Sequence, residues 1–138
     1  MALEAIRYDR AAGTLSLLDQ RALPHAQLWL PIPSAEAAHE AISTMVVRGA
    51  PAIAICAALA TAVEVAKAAP GFASGTEAAS FVAAKLDYLV TSRPTAVNLA
   101  EIAGRLKRVA AAAVANGPAA VVASVVRAPL AQLPARRR

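Results

Sequence analysis

VVRGAPAIAICAALATAV, residues 46–63, is the stretch of sequence that decides the fold. Pro51 suits the first turn of a helix, because the N–H that proline lacks has no hydrogen-bond partner there. From Pro51 the chain is almost entirely Ala, Ile, Leu and Val until Glu64. A helix that is apolar on every side is a buried helix. We therefore predict a central helix from Pro51 to about Ala69, ended by Pro70-Gly71.

Three further helices are predicted around this one. Ser34 is a good N-cap for a helix over residues 35–46. The segment 74–77 has capping-box spacing and precedes a helix over residues 77–90. Pro94 starts a fourth helix, which continues to about Val114 and is terminated by the Asn-Gly-Pro segment 116–118. The side chains expected to face the core are Ala38, Ile42 and Met45 on the first of these helices and Phe81, Leu86, Leu89 and Val90 on the next.

The first thirty residues have the pattern of strands. Residues 5–9 alternate apolar with polar, Gly13 follows in a turn, and residues 14–19 return as the second arm of a hairpin. Residues 27–30 form a third short strand before Pro31. We therefore predict an α+β fold, a small N-terminal antiparallel sheet followed by a helical bundle.

Composition excludes several classes of protein. Of the 138 residues, 39 are alanine, hydrophobic residues make up 58% and charged residues 17%. Disorder throughout is excluded, because a disordered chain needs low hydrophobicity and high charge. A membrane span is not expected, since the most apolar run, residues 50–63, is too short and is followed by Glu64 and Lys67. Four charged residues within the first ten interrupt any secretory signal.

Charge divides the chain into two parts. Residues 1–101 hold all nine acidic residues and seven of the fourteen basic ones, whereas residues 102–138 hold seven basic residues and no acidic one. We predict a folded domain over residues 1–116 and a short, poorly packed basic tail over residues 117–138. A basic tail binds phosphates non-specifically, but this one lacks aromatics for base stacking, so nucleic acid is not favoured. Out-of-frame translation of GC-rich DNA gives the same composition.

An arginine and a glycine stand immediately before the central helix. Gly49 allows a sharp turn and a close approach of a ligand to the backbone. The free N–H groups at a helix start favour an anion, and the planar guanidinium of Arg48 suits phosphate or carboxylate. The alternative is structural, with Gly49 as a helix C-cap and Arg48 as a solvated helix end.

The same arrangement recurs at Ser92-Arg93-Pro94-Thr95. Arg93 directly precedes the proline that starts the predicted fourth helix, and Asn98 lies one turn further on. Arg48 and Arg93 on two helix starts would form a pincer for a phosphorylated small molecule. The alternative is again a helix start with a surface arginine, and spacing alone does not bring the two arginines together.

Other candidate residues point away from metal or nucleophilic chemistry. Cys56 is the single cysteine and lies in an apolar run, where a free cysteine is usually a small buried hydrophobe. His25 and His39 are too few and too far apart in sequence for a metal cluster. We therefore predict no metal site and no nucleophilic cysteine.

The chain resembles the N-terminal domain of methylthioribose-1-phosphate isomerase over about residues 1–110. The matching segments, in order, are residues 3–8, 17–21, 23–24, 45–54, 87–90 and 92–99. The RGAPA and SRPTAVN segments (residues 48–52 and 92–98) carry most of the specificity.

The resemblance implies an aldose–ketose isomerase of L-methionine salvage. Such an enzyme converts 5-methylthioribose 1-phosphate to 5-methylthioribulose 1-phosphate. It implies a cytoplasmic protein that needs no metal or nucleotide cofactor and is a homodimer at full length. It further implies that Arg48, Gly49, Ala50 and Arg93 bind the phosphorylated sugar.

The chain also departs from this family. The family's catalytic cysteine and aspartate lie in a C-terminal Rossmann-like domain, in segments not found here, and Cys56 does not lie in the catalytic-cysteine motif. We therefore expect an N-terminal fragment, inactive alone, from a truncated or mis-spliced isomerase. The alternatives are a regulatory subunit of the guanine-nucleotide exchange factor of translation initiation, a ribose-1,5-bisphosphate isomerase, or an isolated helical interaction module.

Overall fold

The computed structural model describes residues 5–9, 11–47 and 49–129, and of Ala50 it describes the backbone. In chain order the described elements are a three-stranded sheet, β1 (Ile6–Asp9), β2 (Thr14–Leu18) and β3 (Trp29–Pro31), and five α-helices. The α-helices are α1 (Ala35–Ser43), α2 (Ala50–Ala68), α3 (Gly75–Val90), α4 (Val97–Ala113) and α5 (Pro118–Arg127). Two short 3-10 helices, Ala69–Gly71 and Val114–Asn116, follow the second and the fourth α-helix. The predicted α+β class, with the sheet first and the helices after it, is confirmed.

The sheet is antiparallel and follows chain order. β1 pairs with β2 in the register Tyr8 to Leu15, and β2 pairs with β3 in the register Leu17 to Leu30. The alternation of β2 places Leu15 and Leu17 in the core, both at most 2% exposed. Gly13 makes the hairpin turn at φ 69°, a left-handed conformation that favours glycine.

Helix α1 is shorter than predicted. The hydroxyl oxygen of Ser34 accepts a hydrogen bond from the Ala37 N–H at 3.2 Å, so Ser34 is the predicted N-cap. The helix ends at Ser43, and Met45 follows at φ 68°. That left-handed residue turns the chain, so Met45 is 46% exposed, and its predicted place in the core is wrong.

Helix α2 is the central helix, as predicted. Its Ile53, Leu59 and Val63 belong to one apolar cluster, shared with the sheet and α1. Its Ala58 and Val65 belong to a second cluster, formed with α3, α4 and α5. One helix therefore contributes to both halves of the core, which explains why it is apolar on all sides.

By length and composition alone, the segment Pro51–Gly71 could cross a membrane. Its mean hydropathy is 1.8, and 56% of its apolar window is buried inside the protein. The helix continues past Glu64 and Lys67, the two charged residues that interrupt its apolar run. Because a buried core helix passes the same test, the segment is no more than weak support for a membrane span.

Helices α3 and α4 are capped differently at their N-termini. The hydroxyl oxygen of Ser74 accepts from the Glu77 N–H at 3.1 Å and caps α3. In contrast, α4 begins at Val97 and not at Pro94, because residues 91–95 form turns and Ala96 is the N-cap. Of the side chains predicted inward on α3, Leu86 and Leu89 are fully buried, whereas Phe81 and Val90 are half-buried.

The segment after Gly117 differs from the predicted poorly packed tail. Residues 118–127 form α5, and its Val121 and Val125 are fully buried in the second cluster. Their i, i+4 spacing gives α5 an apolar face that packs on α3 and α4. Residues 130–138, including the three terminal arginines, lie outside the described residues, and the domain boundary after residue 116 stays a prediction.

Candidate functional site

Gly49 and the N-terminus of α2 are the part of the predicted anion site that the structure describes. Gly49 is the N-cap of α2 at φ 94° and ψ 132°, with Pro51 in the first turn and no side-chain cap among the described residues. A side chain at residue 49 would have room, since nothing lies within 4 Å of an added Cβ. Glycine is therefore favoured here by backbone conformation.

Two of the predicted binding residues are incompletely described. Arg48 lies outside the described residues, as does the side chain of Ala50. Their neighbours are well defined: Val47 is 1% exposed, and the Val46 carbonyl accepts from the Gln20 N–H at 2.9 Å. The backbone on the N-terminal side of the RGAPA segment is thus held by the core and by the loop after β2.

Arg93 lies in the turns that connect α3 with α4. Its N–H donates to the Val90 carbonyl at 3.3 Å, and its carbonyl accepts from the Ala96 N–H at 2.9 Å. The side chain is half-buried and forms no ion pair with any described residue. The backbone position of this arginine is therefore fixed while its guanidinium has no protein partner in the described part of the chain.

Sequence reasoning missed how this turn is held. The hydroxyl of Thr91 donates to the Tyr88 carbonyl at 2.6 Å and lies 2.9 Å from His39 Nε2. His39 also stacks on the Tyr88 ring at 4.3 Å between centroids. The His39 side chain thereby connects α1 with the end of α3 and with Thr91, which lies two residues before Arg93. Nothing in the local sequence signals a contact between residues 52 positions apart.

The two predicted segments lie close together in the fold. Val47 and Ile53 from the first segment share an apolar cluster with Leu99, against which Ala96 packs. Pro51 and Asn98 also line one surface groove. The structure therefore brings the backbones of the RGAPA and SRPTAVN segments to the same end of the helices. Whether Arg48 and Arg93 themselves converge stays a prediction.

The groove contains charged residues that the sequence analysis did not single out. Glu101, Arg105 and Arg108 of α4 line it together with Asn98. Their spacing of three and four residues places them on one face of α4. The sequence contains this signal, because all of these residues lie within the predicted fourth helix.

Cys56 has the environment predicted for a buried hydrophobe. The side chain is 0% exposed, and burial raises the pKa of its thiol to about 12. A thiol that stays protonated at neutral pH is a poor nucleophile. Among the described residues, no group of three His, Cys, Asp or Glu side chains could hold a metal ion.

Comparison with known proteins gives several close relatives. No protein-family model matches the chain. The methylthioribose-1-phosphate isomerase of Populus trichocarpa is 56% identical over 117 residues, which are 83% of this chain and 31% of that protein. Those of Vitis vinifera and Yarrowia lipolytica are 53% and 50% identical over 114 and 110 residues, covering 83% and 78% of this chain and 30% of each relative.

Two solved structures have a similar fold. The 5-methylthioribose 1-phosphate isomerase of Pyrococcus horikoshii superposes with a TM-score of 0.85 at 24% identity. The translation initiation factor eIF-2B subunit delta of A. fulgidus superposes with a TM-score of 0.79 at 28% identity. Each match covers 95% of this chain and 36% of the other.

The sequence matches are consistent with one another and with the fold. The chain spans about a third of the length of the curated relatives it matches. Over that third, the sequences are 50–56% identical, and the fold is similar to that of the Pyrococcus horikoshii isomerase. The chain is thus similar in sequence to methylthioribose-1-phosphate isomerases over that third of their length.

Proposed function

We propose that this chain is the substrate-binding part of an enzyme that isomerises 5-methylthioribose 1-phosphate to 5-methylthioribulose 1-phosphate in methionine salvage. The observation that carries the proposal is the 50–56% identity to methylthioribose-1-phosphate isomerases over about four-fifths of the chain. The left-handed Gly49 at an uncapped helix start supports it, because such a start suits a sugar phosphate.

Arg48, Gly49, Ala50 and Arg93 are proposed to hold the substrate. The N–H groups at the start of α2 and two guanidinium groups would neutralise the phosphate. The half-buried position of Arg93, without an ion-pair partner among the described residues, supports this role. The ligand then supplies the negative charge that the surrounding protein does not.

The chain is proposed to be inactive alone. Aldose–ketose isomerisation moves a proton between adjacent carbons, or shifts a hydride, and needs an acid/base group or an electrophile beside the sugar. Cys56 is unsuited to this role, because it is fully buried and the pKa of its thiol is raised to about 12. The catalytic cysteine and aspartate implied by the resemblance would belong to a part of the enzyme that does not match this chain.

The setting of the reaction is part of the same proposal. The substrate is a phosphorylated sugar, the enzyme uses no metal or nucleotide cofactor, and it works as a homodimer in the cytoplasm.

The similarity to eIF-2B subunit delta at 28% identity favours one competing function, a regulatory subunit that binds a protein partner. The 50–56% identity to the curated isomerases favours the enzyme.

A coupled assay on the purified chain tests the proposal. We expect no turnover of 5-methylthioribose 1-phosphate by the chain alone. In a chain extended to the length of its relatives, we expect Arg48→Ala and Arg93→Ala each to lower kcat/KM by about ten-fold or more. Arg127→Ala on α5 is the matched control and should change nothing. Turnover by the chain alone would show that the catalytic residues are misplaced. Unchanged kinetics in both arginine variants would show that the binding residues are wrong.

A further inference from the structure

The backbone of the turn that carries Arg93 is held by hydrogen bonds to the end of α3. The buried hydroxyl of Ser92 donates to the Leu89 carbonyl at 2.6 Å, and the Arg93 N–H donates to the Val90 carbonyl at 3.3 Å. These bonds satisfy carbonyls that have no partner within the helix. They tie the turn to its own helix, so a contact from another element adds a constraint that they do not supply.

His39 of α1 supplies such a contact. Its Nε2 lies 2.9 Å from the hydroxyl oxygen of Thr91, the first residue of the turn. Its half-buried ring stacks on Tyr88 of α3, with 4.3 Å between the ring centroids and 20° between the planes. Stacking fixes the plane of the imidazole. The ring nitrogen is therefore held toward Thr91 by one contact and bonded to it by another.

The hydrogen bonds around Thr91 decide which nitrogen of His39 carries the proton. A carbonyl oxygen can only accept, so the single hydroxyl hydrogen of Thr91 is donated to the Tyr88 carbonyl at 2.6 Å. The Thr91 oxygen then accepts from His39, which requires a proton on Nε2. Nδ1 is left as the acceptor of the neutral ring, and the Ser43 hydroxyl lies 3.4 Å from it.

We propose that His39 is a positioning residue, which fixes the turn that carries Arg93 by donating from Nε2 to the Thr91 hydroxyl. The Arg93 side chain forms no ion pair with any described residue, so its location depends on how the turn is held. The consequence for the substrate rests on the proposed function. A guanidinium held in place before binding loses less conformational freedom when the phosphate arrives.

The first measurement needs no ligand and uses the ¹⁵N-labelled 138-residue chain. Long-range ¹H–¹⁵N spectra at pH 8 should show His39 in the form protonated at Nε2. His39→Phe keeps a ring on Tyr88 but has no donor, so the amides of residues 91–93 should shift and their heteronuclear NOE values should fall. His39→Gln places a donor near the position of Nε2 and should restore both. His25→Gln changes the other histidine, in the exposed turn after β2, and should leave residues 91–93 unchanged.

The second measurement is the Kd for 5-methylthioribose 1-phosphate, taken from the shift of the Arg93 amide. We expect His39→Phe to raise Kd about three-fold or more, the size of effect that one lost hydrogen bond produces. His39→Gln should restore it. Thr91→Val removes the acceptor and should raise Kd as well. Because His39 acts through Thr91, His39→Phe combined with Thr91→Val should bind no more weakly than Thr91→Val alone.

These measurements separate the positioning role from stability and from the proposed function. A merely structural role would lower the urea midpoint in His39→Phe and leave the Kd of the folded chain unchanged, which would overturn the proposal. A proton on Nδ1, or unchanged order of residues 91–93 in His39→Phe, would also overturn it. If the wild-type chain binds no substrate, the proposed function is contradicted, and the ligand-free measurement still decides the role of His39.

Discussion

At the residue scale, burial decides the chemistry of Cys56. Its thiol lies in the apolar cluster shared by the sheet, α1 and α2, and burial raises its pKa to about 12. The charged thiolate is disfavoured there because the low-dielectric core cannot solvate it. Position in the core therefore makes the single cysteine a packing residue.

Cys56 should resist alkylation in the folded chain. At pH 8 we expect iodoacetamide to modify it at least about a hundred-fold more slowly than in the denatured chain, since the thiolate is the reactive form. Mass spectrometry over a time course measures both rates. Rapid stoichiometric labelling of the folded chain would contradict the buried position.

An ion-pair partner lowers the pKa of Asp19, whereas burial raises the pKa of Cys56. Arg21 donates to both carboxylate oxygens of Asp19 at 2.9 Å, and these hydrogen bonds, with its charge and a backbone N–H bond, lower the Asp19 pKa. A group whose pKa is lowered by folding stabilises the protein above its unfolded pKa, and that stabilisation is lost as the pH falls.

The Asp19–Arg21 pair should make stability pH-dependent in acid. The contribution is complete above the usual aspartate value near 3.8 and declines as the pH falls below it. Urea unfolding between pH 6 and pH 3 should show a fall in stability that is smaller in Asp19→Asn. Arg21→Gln removes the same pair and should give a similar reduction. Identical pH slopes in all three proteins would contradict this account.

At the scale of elements, the start of α3 packs directly against the end of α4. A Cβ added at Gly75 would collide with the Val114 carbonyl oxygen and lie 3.0 Å from its carbonyl carbon and its Cα. These are backbone atoms and cannot move aside as a side chain can. Gly75 is therefore a packing requirement between two helices, although alanine is the better helix former.

Two alanine substitutions in helices should have opposite effects. Gly75→Ala should lower the free energy of unfolding by about 1–3 kcal/mol, because it overpacks a backbone contact. Gly104→Ala should raise it by about 0.5–1 kcal/mol, since its Cβ would meet only the flexible Arg108 side chain at 3.4 Å. Urea denaturation measures both, and a stabilising Gly75→Ala would contradict the packing.

Local sequence patterns predict most of the helices and strands, but they fail where one residue type suits two local structures. Ser34 and Ser74 cap helices as predicted, because a hydroxyl acceptor has one common use at a helix start. The predicted helix start at Pro94 is wrong, because proline suits a turn as well as a helix start. The predicted burial of Met45 is wrong, because no glycine or asparagine in the sequence marks the left-handed residue that follows α1.

The predicted site is likewise partly recoverable from sequence. The role of Gly49 at the start of α2 can be predicted from the local sequence, since Gly49-Ala50-Pro51 is a helix-start pattern. The proximity of the RGAPA and SRPTAVN segments depends on the packing of Ile53 and Leu99 in one cluster. Periodicity cannot give such a contact, because it is set by how the helices cross.

At the scale of the whole molecule, α2 joins two cores. The sheet and α1 cover one side, and α3, α4 and α5 cover the other. Glu64 of α2 adds a polar tie, since its carboxylate accepts from the Ala35 N–H at 2.7 Å and pairs with Lys85 at 3.2 Å. Unfolding of either side would expose α2, so the two cores should be lost together.

Amide exchange should follow this arrangement. We expect slow exchange in residues 53–63 of α2 and, because Val121 and Val125 are fully buried, slow exchange also in α5. The sequence predicts fast exchange for residues 130–138, which lie outside the described residues. Exchange measured by mass spectrometry resolves these three segments. Fast exchange in α5 would contradict its packing, and strong protection of residues 130–138 would contradict the predicted tail.

We propose that this chain binds the phosphorylated sugar at the start of α2 and in the turns before α4. The most direct test is a titration of 5-methylthioribose 1-phosphate into the ¹⁵N-labelled chain. We predict weak, saturable shifts at the amides of Gly49, Ala50 and Arg93, which Arg48→Ala and Arg93→Ala each reduce, as each arginine contact contributes about 1.5–3 kcal/mol. Shifts that leave these three amides unmoved, or that persist in both variants, would contradict the account.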